Sequence, residues 1–139
     1  MNILKLPTCN SSAIALAISL CTVLPAFAQD ADTTLAKVVE QQRKHLPLVL
    51  DAESTVDNIS YKDKKLEYTV TIPGYQGRPG EQGYYQSFLS QQIMGTLCKQ
   101  TAYLYVLALG NQITYRYIDS KGGPITEITL SEKSCNGES

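Results

Sequence analysis

The chain has 139 residues, of which 12 are basic and 13 acidic, for a formal net charge of −1, and 43% of its residues are hydrophobic. This balance, with no basic run, argues against a phosphate-backbone binder, and a single histidine leaves little for a metal or acid-base site. The length suits one domain with its own core, near the size at which a covalent staple adds useful stability.

At the N-terminus, Lys5 is the only charge before Asp30, and an apolar, small-residue run covers residues 13–24. That run is shorter than the roughly 20 residues a bilayer span needs. Pro25 breaks it, and Ala26-Phe27-Ala28 presents small residues at the two positions a signal peptidase reads. Residues 1–28 therefore read as a signal peptide and residues 29–139 as one mature domain without a membrane span, sent to the periplasm or secreted. An uncleaved anchor would need a stop-transfer pattern. A lipoprotein would need a small residue before Cys21, where Leu20 stands.

Cys9 and Cys21 leave with the signal, so Cys98 and Cys135 remain as an even pair in an oxidising compartment. A disulfide between them closes a loop of roughly 38 residues and should stabilise by about 4 kcal/mol.

Over residues 32–46, Leu35, Val38, Val39 and Leu46 recur at helical spacing; Asp32 or Thr33 can cap the start and Pro47 ends it. Residues 48–50 then lead into a turn at residues 51–54. Residues 56–61 and 66–72 form a hairpin around the charged residues 62–65. Its second arm places Leu66, Tyr68, Val70 and Ile72 on one face and Glu67, Thr69 and Thr71 on the other.

Residues 73–83 carry four glycines and two prolines and read as a surface loop, followed by a helix over residues 84–97. Residues 101–109 pull both ways, since Tyr103, Tyr105 and Val106 favour strand whereas Leu104, Leu107 and Ala108 suit a buried helical turn. A short helix closed by Gly110-Asn111 is the reading taken. A second hairpin joins residues 113–118 and 125–130 through a turn at residues 119–123. The expected fold is α+β: a four-stranded antiparallel sheet of two hairpins, packed on one face by two or three helices, with one disulfide, Cys98 to Cys135.

The mature chain shows no catalytic signature. His45 sits at a helix end without a Ser or Cys motif, and Asp51, Glu53 and Asp57 have no partner histidine. The glycine-rich loop lacks the lysine and hydroxyl residue of a phosphate-binding loop. No cofactor or metal site is expected. Tyr75, Arg78, Tyr84 and Tyr85 lie in or beside that loop, and tyrosine and arginine offer the large, polar-tipped contact area that binding surfaces favour. They are the candidate partner-binding residues, weighed against tyrosines folded onto the core beside a mobile loop.

The spaced pattern Leu46-Pro47, Asp51, Thr55, Leu66-Glu67-Tyr68, Cys98, Gly110, Tyr115-Arg116-Tyr117, Asp119, Gly122 and Cys135 resembles small exported proteins of Gram-negative bacteria and, more distantly, the AspS-type pilotins. The resemblance implies helices against an antiparallel sheet with a disulfide, and a role in escorting an envelope protein. It departs in one respect: those pilotins are lipoproteins, and this chain has no acceptable lipidation site. The expected function is a non-enzymatic periplasmic binding or adaptor module that engages an envelope protein through the glycine-rich loop or a sheet edge. The alternative is a periplasmic inhibitor or immunity protein.

Overall fold

The computed structural model describes residues 26–137, so the signal-peptide reading lies outside the described residues except for its last three positions. Helix α1 (Ala26–Arg43) is followed by β1 (Leu48–Asp51), β2 (Ser54–Lys62), β3 (Lys65–Thr71), α2 (Glu81–Leu97), α3 (Thr101–Ala108), β4 (Gln112–Ile118), β5 (Pro124–Leu130) and α4 (Glu132–Cys135). The strands form one sheet in the order β1-β2-β3-β4-β5.

Two features correct the expected four-stranded antiparallel sheet. Residues 48–51 form a fifth strand on β2, although none of them is buried and no alternation marks them. In addition, β3 and β4 run parallel, with Tyr68 opposite Tyr115 and Val70 opposite Tyr117. Parallel neighbours need a long crossover, and residues 72–111, carrying α2 and α3, supply it.

The expected alternation in β3 is present. Leu66, Val70 and Ile72 are buried and join Ile59, Ile113, Tyr115, Tyr117, Ile128 and Leu130 in one core. Helix α1 packs over β2, α2 over β5, and α3 beside β4 and α4. The other sheet face is polar: Arg116 lies 3.3 Å from Glu67 on β3 and 3.4 Å from Glu127 on β5, and Thr114 and Thr129 pair through their hydroxyls at 3.0 Å.

Helix α1 stops at Arg43, three residues before the expected end. Lys44, His45 and Leu46 continue as a tighter turn, each amide donating to the carbonyl three residues back, because the residue before Pro47 avoids helical dihedrals. The Leu46-Pro47 bond is cis. Helix α2 begins at Glu81, three residues earlier than expected, which shortens the glycine-rich loop. Gly80 takes a left-handed φ of 81° before it, and the Glu81 carboxylate accepts the amides of Arg78 (2.8 Å) and Gln76 (3.3 Å). These two bonds, that from Arg78 first, hold the Glu81 carboxyl below its ordinary range.

The region after β5 contains α4, whose start is closed by reciprocal hydrogen bonds between Ser131 and Ser134. Cys135 on this turn is bonded to Cys98 at the end of α2. The β2–β3 hairpin turns on Asp63 and Lys64, both with positive φ, at 50° and 63°. The Lys64 ammonium donates to Asp32 on α1 (2.7 Å) and the Lys64 carbonyl accepts the Gln112 amide at the start of β4 (2.8 Å). Beside it the Tyr61 hydroxyl donates to Asp32 (2.9 Å) and lies 2.8 Å from Oδ1 of the buried Asn111, whose Nδ2 donates to the Val106 carbonyl (2.9 Å). Burial, then the bond to Asp32, pushes the Tyr61 phenol up to about 12.

Candidate functional site: an apolar groove between two helices

Helices α1 and α3 stand over the apolar sheet face and line a shared hollow. Between them run two adjoining hollows, each of about 220 Å³, that share Gln42, Tyr68 and Tyr103. One wall is α1, through Leu35, Val38 and Val39, and the other is α3, through Ala102, Tyr103 and Val106. Leu48 and Leu50 of β1, with His45 and Leu46, close one end. The floor is the apolar sheet face, where Tyr68 and Tyr115 stack with centroids 4.8 Å apart and planes within 7°.

The groove follows from a mismatch between apolar residues and places to bury them. Seven of the eight α3 residues are apolar or aromatic, but only Leu107 is buried. A helix apolar all round normally lies inside a protein; here it has the sheet on one side and open space on another. On α1, Val39 is buried whereas Val38, one residue before it, is nearly half exposed along the groove.

Chemically, the floor is inert. Burial first, and the neighbouring Tyr103 hydroxyl next, raise the phenols of Tyr68 and Tyr115 well above their ordinary value, and burial followed by the Asp51 charge does the same to Tyr117. These hydroxyls stay protonated at neutral pH and supply polar tips on apolar rings, suited to contact rather than to nucleophilic or base chemistry.

The groups that a hydrolase would draw on are dispersed. His45 lines the groove end, Asp51 faces a different hollow under α2, and Asp57 accepts the Thr71 hydroxyl elsewhere on the sheet. Among the described residues no three His, Cys, Asp or Glu side chains converge as metal ligands, and no helix is long and apolar enough to cross a membrane.

The four residues singled out from the sequence come together at the start of α2, away from the groove. Tyr75 meets Tyr85 edge to face at 5.8 Å, Tyr84 meets Tyr85 at 5.7 Å, and Arg78 lies 3.7 Å from Glu81. Tyr84 also stacks on Phe88, one turn further along α2, and both are exposed. The groove residues escaped notice because Leu35, Val38, Tyr103 and Val106 are the residue types of a core. The available signal was the all-round apolar character of residues 101–109, more than an eight-residue helix on a small sheet can cover.

Neither a protein-family model nor a curated protein sequence matches the chain. Solved structures do match in fold. A candidate secreted protein of Pseudomonas aeruginosa aligns with a TM-score of 0.66 at 16% identity over 81% of this chain and 98% of its own. The type 2 secretion system pilotin EpsS of Vibrio vulnificus aligns with a TM-score of 0.61 at 16% identity, covering 78% of this chain and 94% of its own. The type II secretion system pilotin AspS of Vibrio cholerae gives 0.57 at 14% identity with the same coverage. The fold is thus that of pilotins and of a candidate secreted protein, as the distant resemblance implied.

Proposed function

We propose that this protein is a non-enzymatic binding or adaptor module of the Gram-negative cell envelope, exported by its signal peptide, which holds an apolar helical segment of an envelope protein in the groove between α1 and α3. The observation that carries the reading is the groove itself: contiguous apolar hollows walled by two helices and floored by the stacked rings of Tyr68 and Tyr115. Amphipathic helices bind by laying an apolar stripe into such a groove. The pilotin fold of two secretion-system proteins supports an adaptor role related to secretion, at a similarity that speaks for fold rather than task. Tyr75, Arg78, Tyr84 and Tyr85 belong to the proposal as a second contact area at the α2 end.

The experiment is recovery of a partner from native envelope by the purified protein, followed by titration of that partner against Val38→Asp and Tyr103→Asp. Both positions line the groove without belonging to the fully buried core, so the variants should fold. The proposal expects at least about a tenfold loss of affinity from each, since a charge must be desolvated against an apolar ligand. A partner that binds both variants as tightly as the unaltered protein would overturn it. A partner that is an enzyme, and loses its activity on binding, would move the assignment to an inhibitor.

A further inference from the structure

The two edges of the sheet differ in how they meet solvent. At β5, Pro124 opens the strand, Gln82 of α2 donates from Nε2 to the Ile125 carbonyl at 2.8 Å, and Glu127 adds an exposed charge. These are devices that blunt a sheet edge against further pairing. At β1, among the described residues, no strand lies beyond, and Leu48, Val49 and Leu50 are 51%, 69% and 50% exposed. Bare apolar edges invite β-pairing. This one is limited to four residues and is irregular between Val49 and Asp51, so it can accept a short strand but not an open-ended stack.

Next to the end of β1 lies a hollow of about 330 Å³ lined by Asp51, Glu53, Ile72, Tyr85, Phe88 and Leu89. Asp51 Oδ1 accepts the Glu53 amide at 2.8 Å, which shapes the turn. Among the described residues, no basic side chain lies within ion-pair distance of Asp51 or Glu53. Two uncompensated carboxylates beside two aromatic rings suit a guanidinium or ammonium group, which gains charge-assisted hydrogen bonds from the first and cation–π attraction from the second.

We infer that β1 is a docking edge for an extended segment of a partner protein, apolar over three or four residues and carrying an arginine or lysine that enters the hollow formed by Asp51, Glu53, Tyr85 and Phe88. Backbone pairing along β1 supplies affinity and the basic side chain sets register, as in recognition by strand addition. A second copy of this chain is a poorer occupant: residues 48–51, Leu-Val-Leu-Asp, contain no cation, so self-pairing would set further carboxylates near those already uncompensated. The inference goes beyond the groove: Leu48 and Leu50 also close the groove's end, but pairing uses the free backbone edge of β1, and the hollow under α2 shares no lining residue with the groove.

The test uses the purified protein and labelled, end-blocked hexapeptides with a run of three valines flanked by threonine and with arginine at one end or the other, against the same peptides with glutamate there. Fluorescence anisotropy measures affinity, and amide hydrogen exchange locates the contact. The arginine peptide should bind at least about tenfold more tightly than its glutamate counterpart and protect residues 48–51. Asp51→Asn combined with Glu53→Gln, both exposed positions whose folding is checked by circular dichroism, should reduce that preference to less than about twofold. Equal affinity for the two peptides, or protection that maps elsewhere, would refute the inference. Concentration-dependent dimerisation with protection of residues 48–51 in the absence of peptide would also refute it, by giving the edge to a second copy.

Discussion

Reducing the Cys98–Cys135 bond is the perturbation whose consequence can be worked furthest. The bridged residues are separated by 37 positions, with Cα atoms 5.2 Å apart, and join the end of α2 to α4 after the last strand. Opening a loop of that length returns conformational freedom to the unfolded chain worth about 4 kcal/mol at 25 °C on the chain-entropy model. A domain of this size has an unfolding entropy of roughly 0.23 kcal/mol/K, so the midpoint should fall by roughly 17 °C. The assay is thermal unfolding followed by circular dichroism at pH 7, with and without a non-thiol reductant. A Cys98→Ala/Cys135→Ala variant is measured alongside, because both half-buried cysteines touch the core and lose packing only in the variant. Since α3 starts three residues after Cys98 and approaches α4, amide exchange over residues 101–108 should speed up in the reduced protein below its midpoint. A fall of less than about 5 °C on reduction would refute the reasoning, since it would mean that the unfolded chain remains closed without the bond.

Other consequences are open to simpler measurements. Asp32 is held below its ordinary value of 3.8 by hydrogen bonds from Lys64 and then Tyr61; a depressed carboxyl stabilises above its unfolded pKa and stops doing so as pH falls through its folded one. Asp32→Asn should therefore lower the melting temperature at pH 7, and the gap to the unaltered protein should narrow as pH falls below the ordinary carboxylate range. Leu107→Ala, on the one buried position of α3, should cost about 2–5 kcal/mol in urea unfolding. Arg116→Met, on the open sheet face, should cost no more than about 1 kcal/mol, less at high salt, because its carboxylate partners are partly hydrated. Glu81→Ala should leave α2 formed but make residues 73–80 a preferred site of limited proteolysis, since two loop amides lose their acceptor.

The parts of the fold legible in the sequence are those whose signals are local. Alternation in residues 66–72 marks a half-buried strand because successive side chains point to opposite faces, and the expectation that Cys9 and Cys21 leave with a signal peptide leaves Cys98 and Cys135 one pairing, the one present. The parallel contact between β3 and β4 could not be read this way, as nothing local to either strand records which neighbour it meets across a forty-residue crossover. Strand β1 was missed for another reason: Leu48, Val49 and Leu50 are all exposed, so burial imposes no alternation on them. The candidate contact residues were legible as a cluster, since Tyr75, Arg78, Tyr84 and Tyr85 are neighbours in sequence. The groove was not, because its walls come from residues some sixty positions apart whose apolar character looks the same whether a core or a ligand covers it.

The hairpin turn at Asp63 and Lys64 sets two demands against each other. Positive φ at both positions favours asparagine and glycine, yet Lys64 also links α1 to the sheet through Asp32. Selection for stability from a library randomised at these two sites should therefore settle on an asymmetric answer: asparagine or glycine at position 63, where the side chain makes only a long, exposed ion pair with Lys62, and retained lysine at position 64. A glycine there would ease the turn and remove one of the ties, beside the Tyr61–Asp32 bond, that fix the helix forming one side of the groove. Redesign guided by turn geometry alone would thus favour a tighter hairpin under a less firmly seated helix.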